Sequence, residues 1–156
     1  MLEQLVRNFK NAIEEAFNNG EFFKITPFNR FPKECCDLTC DLLGQYLLEH
    51  GIQTYQINGV NKYDSSWHHV WLVTSKEGLV IDITEEQFIG KIIKRNEIRP
   101  YLVGKEGIVH KIFCKQREKE DNTRFVDVRD YTGFNNTPNP RQKVLIEVYD
   151  IVKQHL

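Results

Sequence analysis

The sequence of 156 residues lacks several features that would assign it to a specialised class of protein. No apolar run reaches the roughly 18 residues of a membrane span, and no signal peptide opens the chain. Neither sign of charge is in excess, because 21 Lys and Arg stand against 22 Asp and Glu. No global field therefore recruits nucleic acid or an anionic membrane. We expect neither nucleic acid nor membrane as a partner.

Cysteine is scarce and unevenly placed. Of the four cysteines, three lie within six positions, at Cys35, Cys36 and Cys40. This is a poor disulfide framework for a chain of this length, so a cytoplasmic location is expected. No repeat, low-complexity tract or linker interrupts the chain, and we expect residues 1–156 to form a single domain. Nothing in the sequence indicates an oligomeric state.

Hydrophobic periodicity predicts an α+β domain in which helices pack on an antiparallel sheet. An amphipathic helix is expected at 2–17, and Asn139, Pro140 and Gln142 are typical of the start of a final helix. Alternating apolar residues predict strands at 52–60, 67–74, 79–84, 92–93, 101–103, 108–114 and 125–128. The charged residues 115–122 read as an exposed turn, and 132–139 has loop composition.

A central helix is predicted between Pro32 and Gly51, because its apolar stripe is too wide for a surface helix. That stripe comprises Cys36, Thr39, Cys40, Leu42, Leu43, Tyr46 and Leu47, with Leu38 and Leu48 beside it. The helix therefore carries a thiol at its N-terminus, where unpaired N–H groups and the helix dipole favour a thiolate. Cys36 is the candidate nucleophile.

Asp82 is the unusual residue of the sheet region, since it interrupts a buried-strand composition and needs a partner there. If 75–78 is an even turn, Trp71 faces Asp82 and His69 lies diagonal to Asp82 on the same face, at a Cα spacing of about 7–8 Å. His68 then points to the opposite face. The other side of this hairpin should pack against helices through Val70, Leu72, Leu79, Ile81 and Ile83.

These residues carry a resemblance to the papain-like and transglutaminase-like thiol enzymes, and more narrowly to small bacterial proteins of that superfamily. The matching stretches, within about residues 31–88, are Phe31-Pro32…Cys36, His69-Val70-Trp71-Leu72 and Asp82-Ile83-Thr84-Glu85-Glu86-Gln87-Phe88. A Cys-Gly-Asp-x-Ser run is common in that group, and this chain departs from it with Cys36-Asp37-Leu38-Thr39-Cys40.

The resemblance implies a papain-like domain that acts on the amide bond of a peptide or protein substrate without a cofactor or a metal. Cys36 would be the nucleophile, His69 the base and then the acid, and Asp82 the group that orients His69. Cysteine peptidase and protein-glutamine deamidase are the favoured activities. The resemblance does not separate them from transglutaminase, because all three share the acyl-enzyme step.

Two other classes stay open from the sequence. One is a catalytically inactive domain of the same fold that only binds its partner. The other is a metal module that uses Cys35, Cys36 and Cys40 with His68 or His69, although paired Cys-x-x-Cys knuckles are missing. Within the thiol reading, Cys35 is the alternative nucleophile. The neighbouring carboxylates of Glu34 and Asp37 oppose activation of Cys36.

Overall fold

The computed structural model describes residues 1–97, 99–120 and 139–156, with the backbone alone for 114–120. Its helices and strands, in chain order, are α1 (Leu2–Asn18), α2 (Cys36–Glu49), β1 (Thr54–Asn61), β2 (His68–Thr74), β3 (Val80–Asp82), β4 (Leu102–Gly104), α3 (Ile108–Ile112), β5 (Phe113–Glu120) and α4 (Pro140–Lys153). Short 3-10 turns lie at Phe28–Arg30, Glu85–Phe88 and Arg95–Glu97. The expected strand at 125–128 and the loop at 132–138 fall outside the described residues.

The five strands form one sheet in the order β4-β3-β2-β1-β5, and every neighbouring pair is antiparallel. Helices and an antiparallel sheet together confirm the α+β class. The hairpin of β2 and β3 pairs Leu72 with Ile81 and Val73 with Val80. This is the even-turn register that the sequence predicted, so His69 and Asp82 emerge on one face.

The predicted central helix is confirmed in α2, whose residues from Leu38 to Leu47 are all buried. It shares one core with α1, α4 and the apolar face of the hairpin, through Val70, Leu72, Ile81 and Ile83. Each of Leu42, Leu43 and Leu47 is almost completely buried, and such a side chain contributes about 1.5–3 kcal/mol. The opposite face of the sheet carries a second, smaller cluster, with Ile57, Trp71, Val80, Phe88, Val109 and Phe113 among its members.

Two sequence predictions for residues 108–122 are wrong. The expected strand at 108–114 is instead helix α3 followed by the start of β5. The expected turn at 115–122 is strand through residue 120, paired with β1 in a register that sets Ile57 opposite Glu118. Strand β5 lies at one end of the described strand order, and charged residues are typical of edge strands. The strand expected at 92–93 is reduced to one bridge, between Ile89 and Ile93.

The start of α4 confirms the predicted cap. Gln142 N donates to Asn139 Oδ1 at 2.9 Å, and Asn139 N donates to Gln142 Oε1 at 2.8 Å, which satisfies two helix-terminal N–H groups. Tyr149 on this helix is fully buried, whereas Leu156, beyond its end, is 47% exposed. Among the described residues, no helix has the length and apolarity needed to cross a bilayer.

Lys10 fixes α1 to the segment that follows β3. Its side chain is 1% exposed, and its Nζ donates to the Ile83 carbonyl oxygen at 3.0 Å. The same ammonium pairs with Glu14 at 2.8 Å and with Glu86 at 3.2 Å. A buried ammonium is tolerable only with such partners, so this contact anchors the turn that carries Glu86 against the core.

Candidate active site

The hairpin brings His69 and Asp82 into direct contact. His69 Nε2 lies 2.5 Å from Asp82 Oδ2, and the two residues are 0% and 3% exposed. His68, the neighbouring residue on β2, points the other way and is exposed. The free-energy cost of burying the Asp82 carboxylate is therefore offset by a hydrogen bond to a histidine from the adjacent strand.

Asp82 accepts hydrogen bonds on both carboxylate oxygens. Oδ1 accepts from the backbone N–H of Thr84 at 2.8 Å and from its hydroxyl at 3.1 Å. Oδ2 accepts from His69 and from Nε2 of His110, the latter at 3.0 Å. Burial alone would raise the pKa of Asp82, but the two histidines outweigh burial and hold this pKa well below its usual range. Asp82 is thus a fixed carboxylate anion at neutral pH.

The ring of His69 is bonded to Asp82 and is influenced by Cys36. Burial lowers the pKa of His69, whereas Asp82 and a side-chain hydrogen bond with Cys36 raise it, and the net result is about 10. Because Nε2 is taken by Asp82, Nδ1 is the nitrogen available to the thiol. The Gln87 side-chain Nε2 lies 3.3 Å from the same Nδ1. The ring of Phe88, 4.9 Å from that of His69, packs edge-on against it.

Cys36 is the first residue of α2, and its neighbours Cys35 and Cys40 point elsewhere. Cys35 is buried, its Sγ donates to the carbonyl oxygens of Pro27 and Lys33 at 3.3 and 3.1 Å, and burial raises its pKa to about 12. Cys40 Sγ lies 3.5 Å from the Val70 carbonyl oxygen. Cys36 is half-buried, whereas Cys35 and Cys40 are buried. The structure therefore does not support Cys35 as the alternative nucleophile.

The two carboxylates beside Cys36 each have an arginine partner. Glu34 pairs with Arg30 at 2.6 Å, and Asp37 pairs with Arg141 of α4 at 3.0 Å. Each guanidinium offsets part of the negative field that the carboxylate would otherwise direct at the thiol. The sequence indicated the two carboxylates, but neither arginine could be assigned to them from spacing alone.

His110 is the site residue that sequence reasoning missed. It lies on α3, is 2% exposed, and approaches Asp82 across 28 positions of sequence. The available signal was a histidine between apolar residues in Ile108-Val109-His110-Lys111-Ile112. That signal is common in structural cores, so only the fold distinguishes this histidine from an ordinary buried one.

The His69, Asp82 and His110 donor atoms lie within 4.8 Å of one another, the one such group among the described residues that could hold a metal. Tetrahedral zinc separates its ligand atoms by about 3.3 Å, given metal–ligand bonds near 2.0–2.1 Å. The observed spacings of 2.5 and 3.0 Å to Asp82 Oδ2 are those of hydrogen bonds instead. The group contains none of the cysteines that the sequence offered for a metal module, and His68 lies on the opposite face.

An open cleft of about 340 Å³ adjoins the site. Its lining residues are Arg30, Lys33, Glu34, Ser66, Trp67, His68, Gln87, Phe88 and Lys91. Gln87 and Phe88 belong both to this lining and to the immediate surroundings of His69. Cys36 is not part of the lining, but Glu34 brings the cleft to within two residues of it. Three permanent cations against one carboxylate make the cleft positively charged.

Comparison of the chain with models of protein families, with curated proteins and with solved structures finds no match.

Proposed function

We propose that this protein is a thiol hydrolase or acyltransferase that acts on an amide bond, in a domain of papain-like or transglutaminase-like fold. Cys36 is the nucleophile, His69 is the base and then the acid, and Asp82 orients His69. The observation that carries the proposal is a buried imidazole that is bonded to Asp82 and has Cys36 close enough to raise its pKa. A nucleophile, a base and an orienting group in this order are the minimum for covalent acyl transfer.

The raised pKa of His69 supports a thiolate mechanism. In the proposed mechanism His69 takes the proton of Cys36, and Sγ attacks the carbonyl carbon and forms a C–S bond while the carbonyl oxygen becomes an oxyanion. His69 then gives its proton to the leaving nitrogen as the C–N bond breaks, which leaves a thioester. Water, or an amine in a transferase, attacks the thioester carbonyl while His69 takes its proton, and the thiolate departs.

In the proposed mechanism two donors stabilise the oxyanion of the tetrahedral intermediate. The first is the backbone N–H of Cys36, at the end of a helix that has no side-chain cap, where N–H groups lack intrahelical partners. The second is the side-chain amide of Gln87, which lies beside His69 Nδ1 and lines the cleft. Fixed donors of this kind are commonly the largest single contribution to acyl transfer.

The experiment that tests the proposal needs no substrate. Brief treatment with limiting iodoacetamide, followed by peptide mapping, should label Cys36 before Cys35, Cys40 and Cys114, because Cys36 lies at a helix N-terminus near His69. His69→Leu should abolish that preference, and Cys40→Ala serves as a matched control that leaves it intact. Preferential labelling of another cysteine contradicts the proposal. A Cys36 no more reactive than free cysteine indicates an inactive binding domain.

Once a substrate is identified, Cys36→Ala should lower the rate by several orders of magnitude while the fold is retained. EDTA should leave the activity unchanged, because the proposed chemistry requires no metal. Release of ammonia without incorporation of an added amine identifies a glutamine deamidase, release with incorporation identifies a transglutaminase, and a new peptide N-terminus identifies a peptidase. Full activity of Cys36→Ala, or inactivation by EDTA, supports the metal reading instead.

A further inference from the structure

His110 occupies the side of Asp82 that His69 leaves open. Helix α3 places its ring on the same face of the sheet as the His69 ring, with centroids 6.1 Å apart. Both imidazoles direct Nε2 at a single oxygen, Oδ2 of Asp82. His110 makes no contact with Cys36 through this nitrogen, so whatever it contributes passes through the carboxylate.

The backbone settles which nitrogen of His110 carries the proton. The N–H of Gly107, the residue that precedes α3, donates to His110 Nδ1 at 3.1 Å. A nitrogen that accepts this bond cannot also carry a proton along the same direction. The proton of a neutral ring must then lie on Nε2, where it is donated to Asp82. His110 is thereby a neutral donor of fixed orientation.

We propose that His110 is a positioning residue of the site, and this rests on the proposed function of Cys36 and His69. With Thr84 donating twice to Oδ1 and the two histidines donating to Oδ2, the Asp82 carboxylate is held against rotation. It also remains ionised, because four donors stabilise the anion. A fixed anion holds the His69 ring with Nδ1 towards the thiol and keeps the imidazolium form stable.

A carboxyl group and a glycine border Nδ1 of His110. On the segment after β3, Glu85 Oε1 lies 3.5 Å from His110 Nδ1, with its side chain 11% exposed. Burial and the charge of Asp82 raise the pKa of Glu85. A Cβ at Gly107 would lie 3.2 Å from Glu85 Oε1, which is closer than an ordinary contact.

The first test is made on the unaltered protein. Long-range nitrogen–proton correlation spectra distinguish the tautomers of each histidine ring. We expect His110 to be neutral with its proton on Nε2, and we expect two strongly deshielded imidazole protons, one from each histidine bonded to Asp82. A proton on Nδ1 of His110, or a freely exchanging Nε2–H, overturns the proposal whatever Cys36 does.

The second test compares His110→Leu, which removes the donor, with His110→Gln, which can keep an N–H near the position of Nε2. In His110→Leu we expect the rate of Cys36 alkylation by iodoacetamide to fall about tenfold or more. We also expect the titration midpoint of His69 to fall by about one pH unit, since an unfixed Asp82 supports its imidazolium less well. His110→Gln should retain most of both properties.

The outcomes separate this inference from the proposed function. His155→Gln, a change at a half-buried histidine that pairs with Glu21, is the control and should alter neither measurement. If wild-type Cys36 is unreactive, the proposed function fails, and the tautomer result still decides the role of His110. If Cys36 is reactive and His110→Leu leaves both its rate and the His69 midpoint unchanged, the positioning role is refuted. If His110→Leu does not fold, the positioning role is still refuted when His110→Gln shifts the titration midpoint of His69 and the proton of wild-type His110 lies on Nδ1.

Discussion

Replacing Asp82 by leucine should destabilise the protein severely, because this carboxylate accepts four hydrogen bonds in the interior. The variant leaves the Nε2–H groups of His69 and His110 buried without an acceptor. Removing one partner from a buried ionic pair typically costs about 3–5 kcal/mol. We expect the free energy of unfolding to fall by that amount near neutral pH. Asp82→Asn keeps the shape, yet either orientation of its amide points N–H groups at two donors, so it should cost about 2–3 kcal/mol.

The pH dependence gives a sharper expectation. Asp82 has a lowered pKa in the folded protein, so its stabilisation is present above the ordinary value of 3.8 and is lost as the pH falls below it. His69 has a pKa raised from 6.5 to about 10, so its stabilisation is complete below 6.5 and is lost as the pH rises towards 10. The pair therefore stabilises most between those ordinary values, and the difference between wild type and Asp82→Leu should shrink on the alkaline side.

Urea denaturation followed by the fluorescence of Trp67 and Trp71 measures this difference at about pH 6 and about pH 9.5. Asp64→Leu, a change at an exposed aspartate that bonds with Ser66, is the control and should cost less than about 1 kcal/mol at either pH. A loss below about 1 kcal/mol in Asp82→Leu, or a loss equal at both pH values, would refute a strongly coupled buried pair.

The remaining predictions concern Lys10, which anchors the segment after β3, and two lysines of the cleft. Lys10→Met should lower the free energy of unfolding by about 2–3 kcal/mol, because a buried carbonyl oxygen and two carboxylates lose their cation, and urea unfolding that shows no loss would contradict the anchoring role. In the cleft, Lys33→Gln combined with Lys91→Gln should lower the ratio of iodoacetate to iodoacetamide alkylation of Cys36 about twofold, since only the anionic reagent senses the two charges. An unchanged ratio at low salt would show that these lysines do not act on reagents approaching the thiol.

The parts of the site that the sequence predicts are those governed by local pattern. The start of α2 at Cys36 follows from its apolar stripe, and the contact of His69 with Asp82 follows from an even turn in a hairpin, where parity alone decides which side chains share a face. These predictions depend only on residues that are close in sequence, so they can be made without knowing how the rest of the chain folds.

The parts that fail depend on partners distant in sequence. Helix α3 spans only five residues, too few for a helical period to be told from alternation, and its apolar residues therefore read as strand. Strand β5 is formed by pairing with β1 despite a composition typical of solvent-exposed turns, because backbone hydrogen bonds do not require apolar side chains. His110 lies on the first of these elements, so the second histidine on Asp82 was hidden by the same ambiguity.

Positions 107 and 110 should vary together among related chains. The backbone N–H of Gly107 donates to His110 Nδ1, so a proline at position 107, which lacks this N–H, should occur only where the histidine has also changed. Related chains that keep Asp82 and Thr84 should then carry a Gly-x-x-His pattern downstream, whereas exposed lysines of the cleft can drift with the substrate. Such a pattern offers a way to find distant relatives whose overall sequence has diverged beyond detection.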